Sequence, residues 1–192
     1  MNDRDALYAF VLKGDIAQDS ADRELARSRE DPGDTLGELA LRLPFDLLDD
    51  EIVQSARKMA VIYTAIAAFE NSARKFIQDR LLEEVGANWW DTVPAGIQRS
   101  AEKRKEEEDQ IRWHGARGSS MIYYTQLGDL ASILQNNIEH FKDHIESPEW
   151  ARQIFRALER SRNVIMHSGE LSMNDIERVS MNIRDWLRQV GG

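Results

Sequence analysis

Apolar residues recur every three or four positions through most of this 192-residue chain, and no strand signal competes with that period. In residues 47–85, "LLDDEIVQSARKMAVIYTAIAAFENSARKFIQDRLLEEV", the positions Val53, Ala56, Ala60, Tyr63, Ile66, Ala67, Glu70, Arg74 and Ile77 follow such steps, with neither Gly nor Pro inside. The spacing predicts one long helix, or two with a kink. Gly86 ends it, and in "GANWWDTVP" Asp91 or Thr92 is placed to cap a helix that Pro94 can begin. "RSAEKRKEEEDQIRW" is mostly charge and reads as an exposed helix held by few apolar residues, such as Ile97 and Ile111.

After "HGARGSS", Leu127, Leu130, Leu134, Ile138, Phe141 and Ile145 trace one apolar face, which predicts a core helix of about five turns. "SPEW" opens the next helix, with Ser147 as N-cap, Pro148 at the first helical position and Glu149 in the first turn. This helix runs toward His167, and Gly169 stops it. Ser172 and Asp175 resemble a capping box for a last helix whose Ile176, Val179, Ile183, Trp186, Leu187 and Val190 face inward. Residues 1–45 differ in kind: they are acidic, with a "DPGD" turn at 31–34 and an "LPFD" break at 43–46 bounding short helical segments. The expected organisation is an N-terminal helical arm, 1–45, and an all-α helical bundle, 46–192.

Composition narrows the function. With 42% hydrophobic and 31% charged residues the chain suits one globular core. No apolar run approaches the roughly 20 residues that cross a bilayer, and the first residues lack a basic and then apolar export signal. No membrane association and a cytoplasmic location are expected. The absence of cysteine excludes disulfides, thiol nucleophiles and thiolate metal sites. A formal charge of -9 argues against a broad basic surface for nucleic acid, so any RNA contact must be local. Arg152, Arg156 and Arg160, four residues apart, are the strong local positive feature. They either guide an RNA backbone or form a solvated face paired with Glu149 and Glu159.

The candidate chemistry lies in "ERSRNVIMHSGE", residues 159–170. An arginine and a histidine at this spacing arise by chance about once in such a chain, so context must supply the specificity. Asn163 directly follows Arg162, the apolar "VIM" separates the pair from the histidine, and His167 stands at a helix end just before "SG". At these residues the chain resembles the HEPN family, the higher eukaryote and prokaryote nucleotide-binding domains. That family is an α-helical bundle with an arginine, a polar residue and a histidine four to six residues on. "AFENSARKFIQDRL", "NWWDTVP", a charged helix and "YYTQLGDLASIL" extend the resemblance over about residues 47–190. They look like the HEPN subfamily named after a eukaryotic transcript-surveillance endonuclease.

The resemblance implies a HEPN endoribonuclease with Arg162, His167 and Asn163 in its catalytic site, working as a homodimer with neither metal nor cofactor. It also implies a role as a toxin or antiphage effector, with an antitoxin or regulatory protein as partner. One such control, modification of a tyrosine two positions after the histidine, meets Gly169 here and is disfavoured. The rival is a catalytically silent HEPN module that binds RNA or proteins. Helical geometry adds an independent point: five positions turn by about 140° and rise about 7.5 Å, so Arg162 and His167 converge poorly within one chain. A twofold axis would gather two copies of each around one cleft. RNA carries its own nucleophile, the 2′-hydroxyl, so His167 to move a proton and Arg162 to hold the phosphate would suffice.

Other features have plainer readings. Glu70 and Arg74 are a helical ion pair that either stands alone or supports the Arg162 region from a neighbouring helix. His140 and His144 have the spacing of two metal ligands on a helix but no evident third, which favours a surface pair. Trp89 and Trp90 suit core anchoring better than base stacking.

Overall fold

A computed structural model of the chain describes residues 36–111 and 113–191. The "DPGD" turn and most of the expected arm lie outside the described residues. The chain divides into two compact units, the first ending at Val53 and the second beginning at Gln54. In the first, a short helix α1 (Leu36–Arg42) gives way at Leu43 and Pro44 to a 3-10 turn over Phe45–Leu47, matching the break read from "LPFD". Asp49 then opens the long helix α2 (Asp50–Val85), its carboxylate accepting from the N–H groups of Glu51 at 2.9 Å and Ile52 at 3.2 Å.

At 36 residues, α2 spans about 54 Å without a Gly or Pro to break it. Its buried stripe through the second unit is Met59, Ile62, Ile66, Phe69, Ala73, Ile77 and Leu81, whereas the predicted Ala56 and Ala60 are exposed. Around this stripe stand α3 (Ala95–Asp109), α4 (Leu127–Asn136), α5 (Pro148–Met166) and α6 (Met173–Val190). Consecutive helices α4, α5 and α6 pack on one another, and α3 packs on the 3-10 turn Met121–Tyr124. There is no β-strand among the described residues, so the all-α expectation holds.

Trp186 of α6 is fully buried at the centre of an aromatic cluster. Phe69 and Phe76 from α2 and Phe155 from α5 meet it edge-on with centroids 5.1–5.9 Å away, and Trp150 stacks on it at 6.1 Å. Leu187, expected to face inward, is about half exposed and opens onto an apolar groove of about 600 Å³ between α2 and α6, beside Val61 and Ile183.

Three further expectations need correction. The apolar face of residues 127–145 is not one helix. It stops at Asn137, a buried residue whose amide donates to the Ile133 carbonyl at 3.0 Å and to the Thr92 carbonyl at 3.3 Å. A 3-10 turn, Ile138–Phe141, continues from there and still buries Phe141, with Ile145 buried beyond it. The α3 N-cap is Pro94, without a side-chain cap, because residues 89–92 form their own turn and the Thr92 hydroxyl donates to the Trp89 carbonyl. Finally, Ile97 packs against the core as read, but α3 is otherwise held by buried Ala101 and by polar bonds, while Ile111 lies beyond its end and is exposed. Arg104 donates to the Tyr124 carbonyl at 2.7 Å and meets Asp129 at 3.2 Å.

The caps at Ser147 and Ser172 form as read: the Ser147 hydroxyl accepts from the Trp150 N–H, and Ser172 and Asp175 cap each other's backbone. Hydrogen bonding from Ser172, its hydroxyl first and its backbone second, holds the Asp175 carboxyl below the usual aspartate value, with Arg178 adding to the effect. A depressed folded value means that the carboxylate stabilises the fold above the unfolded value near about 3.9, and that this contribution is lost as pH falls through the folded value. Amide protection at Asp175 and Ile176 is therefore expected to drop on acidification below about pH 4. Asp175→Asn should abolish that dependence; an equal drop in both chains, followed by hydrogen exchange, would show the cap to be pH-insensitive.

Candidate active site

The end of α5 is built by its backbone. His167 is the C-cap, and Ser168 occupies the left-handed region with φ of 59°. The Ser168 N–H bonds to the Ile165 carbonyl at 2.9 Å and the Gly169 N–H to the Val164 carbonyl at 2.8 Å, which is the paired bonding of a Schellman termination. The left-handed residue is thus Ser168 and not Gly169, a correction to the expected stop. Gly169 is needed for another reason. A Cβ there would sit 2.8 Å from Val164 Cγ1 and 3.0 Å from its carbonyl oxygen, so a tyrosine at this position would clash with the helix end. The chain after it is tied to α2: the Ser55 hydroxyl donates to Glu170, and the Leu171 N–H meets the Met59 sulfur at 3.3 Å.

This termination leaves the His167 side chain exposed, and its ring has no hydrogen-bond or ion-pair partner among the described residues. The ring does not cap its own helix; the backbone N–H does, bonding to the Asn163 carbonyl at 3.1 Å. Asn163 is exposed as well. Arg162, by contrast, is anchored. Its Nε lies 3.6 Å from Glu70 of α2, and Glu70 is only 7% exposed. Glu70 also pairs with Arg74, one turn along α2, and Arg74 donates onward to the Thr125 carbonyl at 2.9 Å and to Asn71 at 3.0 Å. The carboxylate therefore faces two guanidinium groups, and the polar chain Thr125–Arg74–Glu70–Arg162 joins the start of α4, the middle of α2 and the end of α5.

Glu70→Gln keeps the volume and one acceptor but removes the charge opposite two arginines. A loss of about 1.5 to 3 kcal/mol in stability is expected, the range for hydrogen bonds to charged groups. Denaturant unfolding checks it; a change below about 0.5 kcal/mol, the ordinary surface range, would mean that the network contributes little.

The basic stripe is divided. Arg152 is engaged by Glu149 through two bonds of 2.9 Å, which lower the Glu149 carboxyl and raise the Arg152 guanidinium from their ordinary values; Arg156 helps to lower Glu149. Glu159 does not pair with the stripe. It accepts instead from the Gly128 N–H at 3.3 Å, fastening α5 to the start of α4. Arg156 and Arg160 are exposed on the helix that carries Arg162. His140 lies 3.8 Å from Glu84 while His144 meets the Phe76 ring edge-on, and no group of three or more potential metal-ligating side chains occurs among the described residues. Trp89 is buried and Trp90 packs against the core, as anchors would.

The helical bundle and the "RNVIMH" at the end of α5 are the features on which the resemblance to HEPN domains rests. The chain belongs to the Swt1-like HEPN family, whose model matches residues 64–191 and so takes in α2 from Thr64 through α6. No curated protein and no solved structure gives a significant match. Membership places the chain among domains with ribonuclease or nucleotide-binding roles. No helix among the described residues is long and apolar enough to cross a membrane.

Proposed function

We propose that this chain is an endoribonuclease that cuts RNA by 2′-hydroxyl attack, without a metal ion, and that it acts as a homodimer. The observation that carries the reading is the contrast at the end of α5: an unpaired, exposed His167 and, five residues before it, an Arg162 that faces buried Glu70. Histidine is the side chain whose ordinary titration range spans neutral pH, so it can both take and return a proton. Arginine offers a planar, permanently charged fork for a phosphate.

In the proposed reaction the 2′-oxygen bonds to phosphorus as its proton leaves to His167. The bond from phosphorus to the 5′-oxygen then breaks, and that oxygen takes up a proton. The products are a 2′,3′-cyclic phosphate and a 5′-hydroxyl end. Arg162 offsets the charge that grows on the phosphate oxygens. Because Arg162 and His167 are offset by about 140° on α5, two copies about a twofold axis are proposed to supply the base on one side and the acid on the other, with Asn163 orienting either group. Exposed Arg156 and Arg160 would guide the strand. Control by an antitoxin or regulatory protein, in a toxin or antiphage setting, fits the same reading.

Oligoribonucleotides carrying 2′-O-methyl groups at every position test the chemistry, because the nucleophile is blocked while the phosphates remain. Unmodified RNA should be cut and the methylated strand should stay intact while still competing for binding. Cleavage of both would rule out 2′-hydroxyl attack.

A further inference from the structure

The loop after α3, "QIRWHGARGSS", holds no carboxylate and presents Trp113 with 87% of its surface exposed. None of the other four tryptophans is exposed: Trp89 and Trp186 are buried, and Trp90 and Trp150 are half-buried. An indole leaves this much apolar surface in water only at a cost, and it does so here on a loop whose base is firmly bonded. Glu108 accepts from the Arg117 N–H at 2.9 Å and pairs with its guanidinium at 3.3 Å. The Tyr124 hydroxyl donates to the same carboxylate at 2.9 Å. Burial first, then this bond to Glu108, push the Tyr124 phenol above its ordinary value, so it remains a donor.

The base of this loop also connects to the network at Arg162. Tyr124 is followed by Thr125, whose carbonyl accepts from Arg74, and Arg74 and Arg162 share Glu70. Trp113 lies four residues from Arg117, a reach of about 14 Å at most. At the acidic end of α3 beside it Glu107 pairs with Lys103, Glu108 with Arg117 and Asp109 with Lys105, which leaves the exposed Glu106 as the acidic side chain there without an ion pair among the described residues. The His114 ring stands edge-on to the indole at 5.8 Å. Within the described residues of the loop the other large apolar side chain is the half-exposed Ile111, less apolar surface than a protein partner ordinarily covers.

We propose that Trp113 is a base-stacking subsite for the single-stranded RNA substrate, holding a nucleotide that flanks the scissile phosphate while Arg117 fixes the loop at its base. This rests on the nuclease reading and names the form of RNA it takes. An aromatic face accepts any base, so the subsite would select single strands over duplexes without selecting sequence.

The test uses the full-length chain with His167→Ala throughout, so that RNA is not consumed. Binding of a labelled single-stranded oligoribonucleotide is followed by anisotropy, with tryptophan emission read in parallel. The parent should show quenching by the single strand and weaker binding to a duplex. Trp113→Ala should bind the single strand about 5- to 150-fold more weakly and lose the quenching, and Trp113→Tyr should recover most of the affinity. Unchanged affinity in Trp113→Ala, or no RNA binding by the parent, overturns the proposal. Trp113-dependent binding together with a wild-type chain that cuts no RNA would refute the nuclease reading alone.

Discussion

His167→Ala is expected to slow RNA cleavage by about 10²- to 10⁴-fold, the usual contribution of a positioned general acid or base, while leaving thermal stability unchanged. Both halves follow from the same geometry. The ring is exposed and bonds to nothing among the described residues, and the cap of α5 is made by backbone groups of residues 163–169 that alanine retains. The variant therefore separates chemistry from folding. Arg162→Ala is a poorer probe, because it also releases Glu70 from one of its two arginines. Arg162→Lys keeps the charge but loses the planar fork, so it should fall between wild type and Arg162→Ala in rate. A His167→Ala chain that cuts as fast as wild type, at equal purity and concentration, would remove this histidine from the mechanism.

The second large effect concerns the core. Trp186→Ala should cost about 3 to 5 kcal/mol, as large aromatic truncations do. That is a large share of the total stability of an ordinary domain, about 5 to 15 kcal/mol. The indole is enclosed by Phe69, Phe76, Trp150 and Phe155, so its removal leaves a cavity shared by α2, α5 and α6. Trp186→Phe should cost much less, since the Trp186 Nε1 is buried with no hydrogen-bond partner among the described residues and phenylalanine removes that polar atom along with part of the volume. Denaturant midpoints for the two variants decide it. If alanine costs no more than phenylalanine, the aromatic cluster does not hold α6 in place.

Periodicity revealed the helices because a buried stripe must recur with the helical repeat, whatever the partner. It revealed less where a polar side chain decides the backbone. Asn137 interrupts an apolar face that a spacing count reads straight through, because its amide finds carbonyls on two different segments. The same limit applied at the end of α5. The "SG" pair announced a stop, but which residue turns left-handed depends on the close approach of Gly169 to Val164, a contact across the turn. Leu187 fell on the inward side of a helical wheel and nevertheless lines an open groove, since a wheel does not say where the neighbouring helix ends.

The candidate site was legible unevenly for the same reason. Arg162, Asn163 and His167 are local in sequence, and their pattern carried the resemblance. Glu70 and Arg74 showed as polar residues within an apolar stripe, but their link to Arg162 and Thr125 joins segments far apart in the chain. Trp113 closes the stretch that reads as a charged helix, whereas the helix ends at Asp109 and leaves the indole in a run free of carboxylates.

The most direct test of the central claim is RNA cleavage by the purified chain in excess EDTA, with the ends of the products identified, for wild type, Arg162→Ala and His167→Ala side by side. Cleavage is expected to survive chelation, to leave 2′,3′-cyclic phosphate and 5′-hydroxyl ends, and to fall by about 10²-fold or more in both variants. Cleavage that stops with EDTA, yields 5′-phosphate ends or persists equally in the two variants would contradict it.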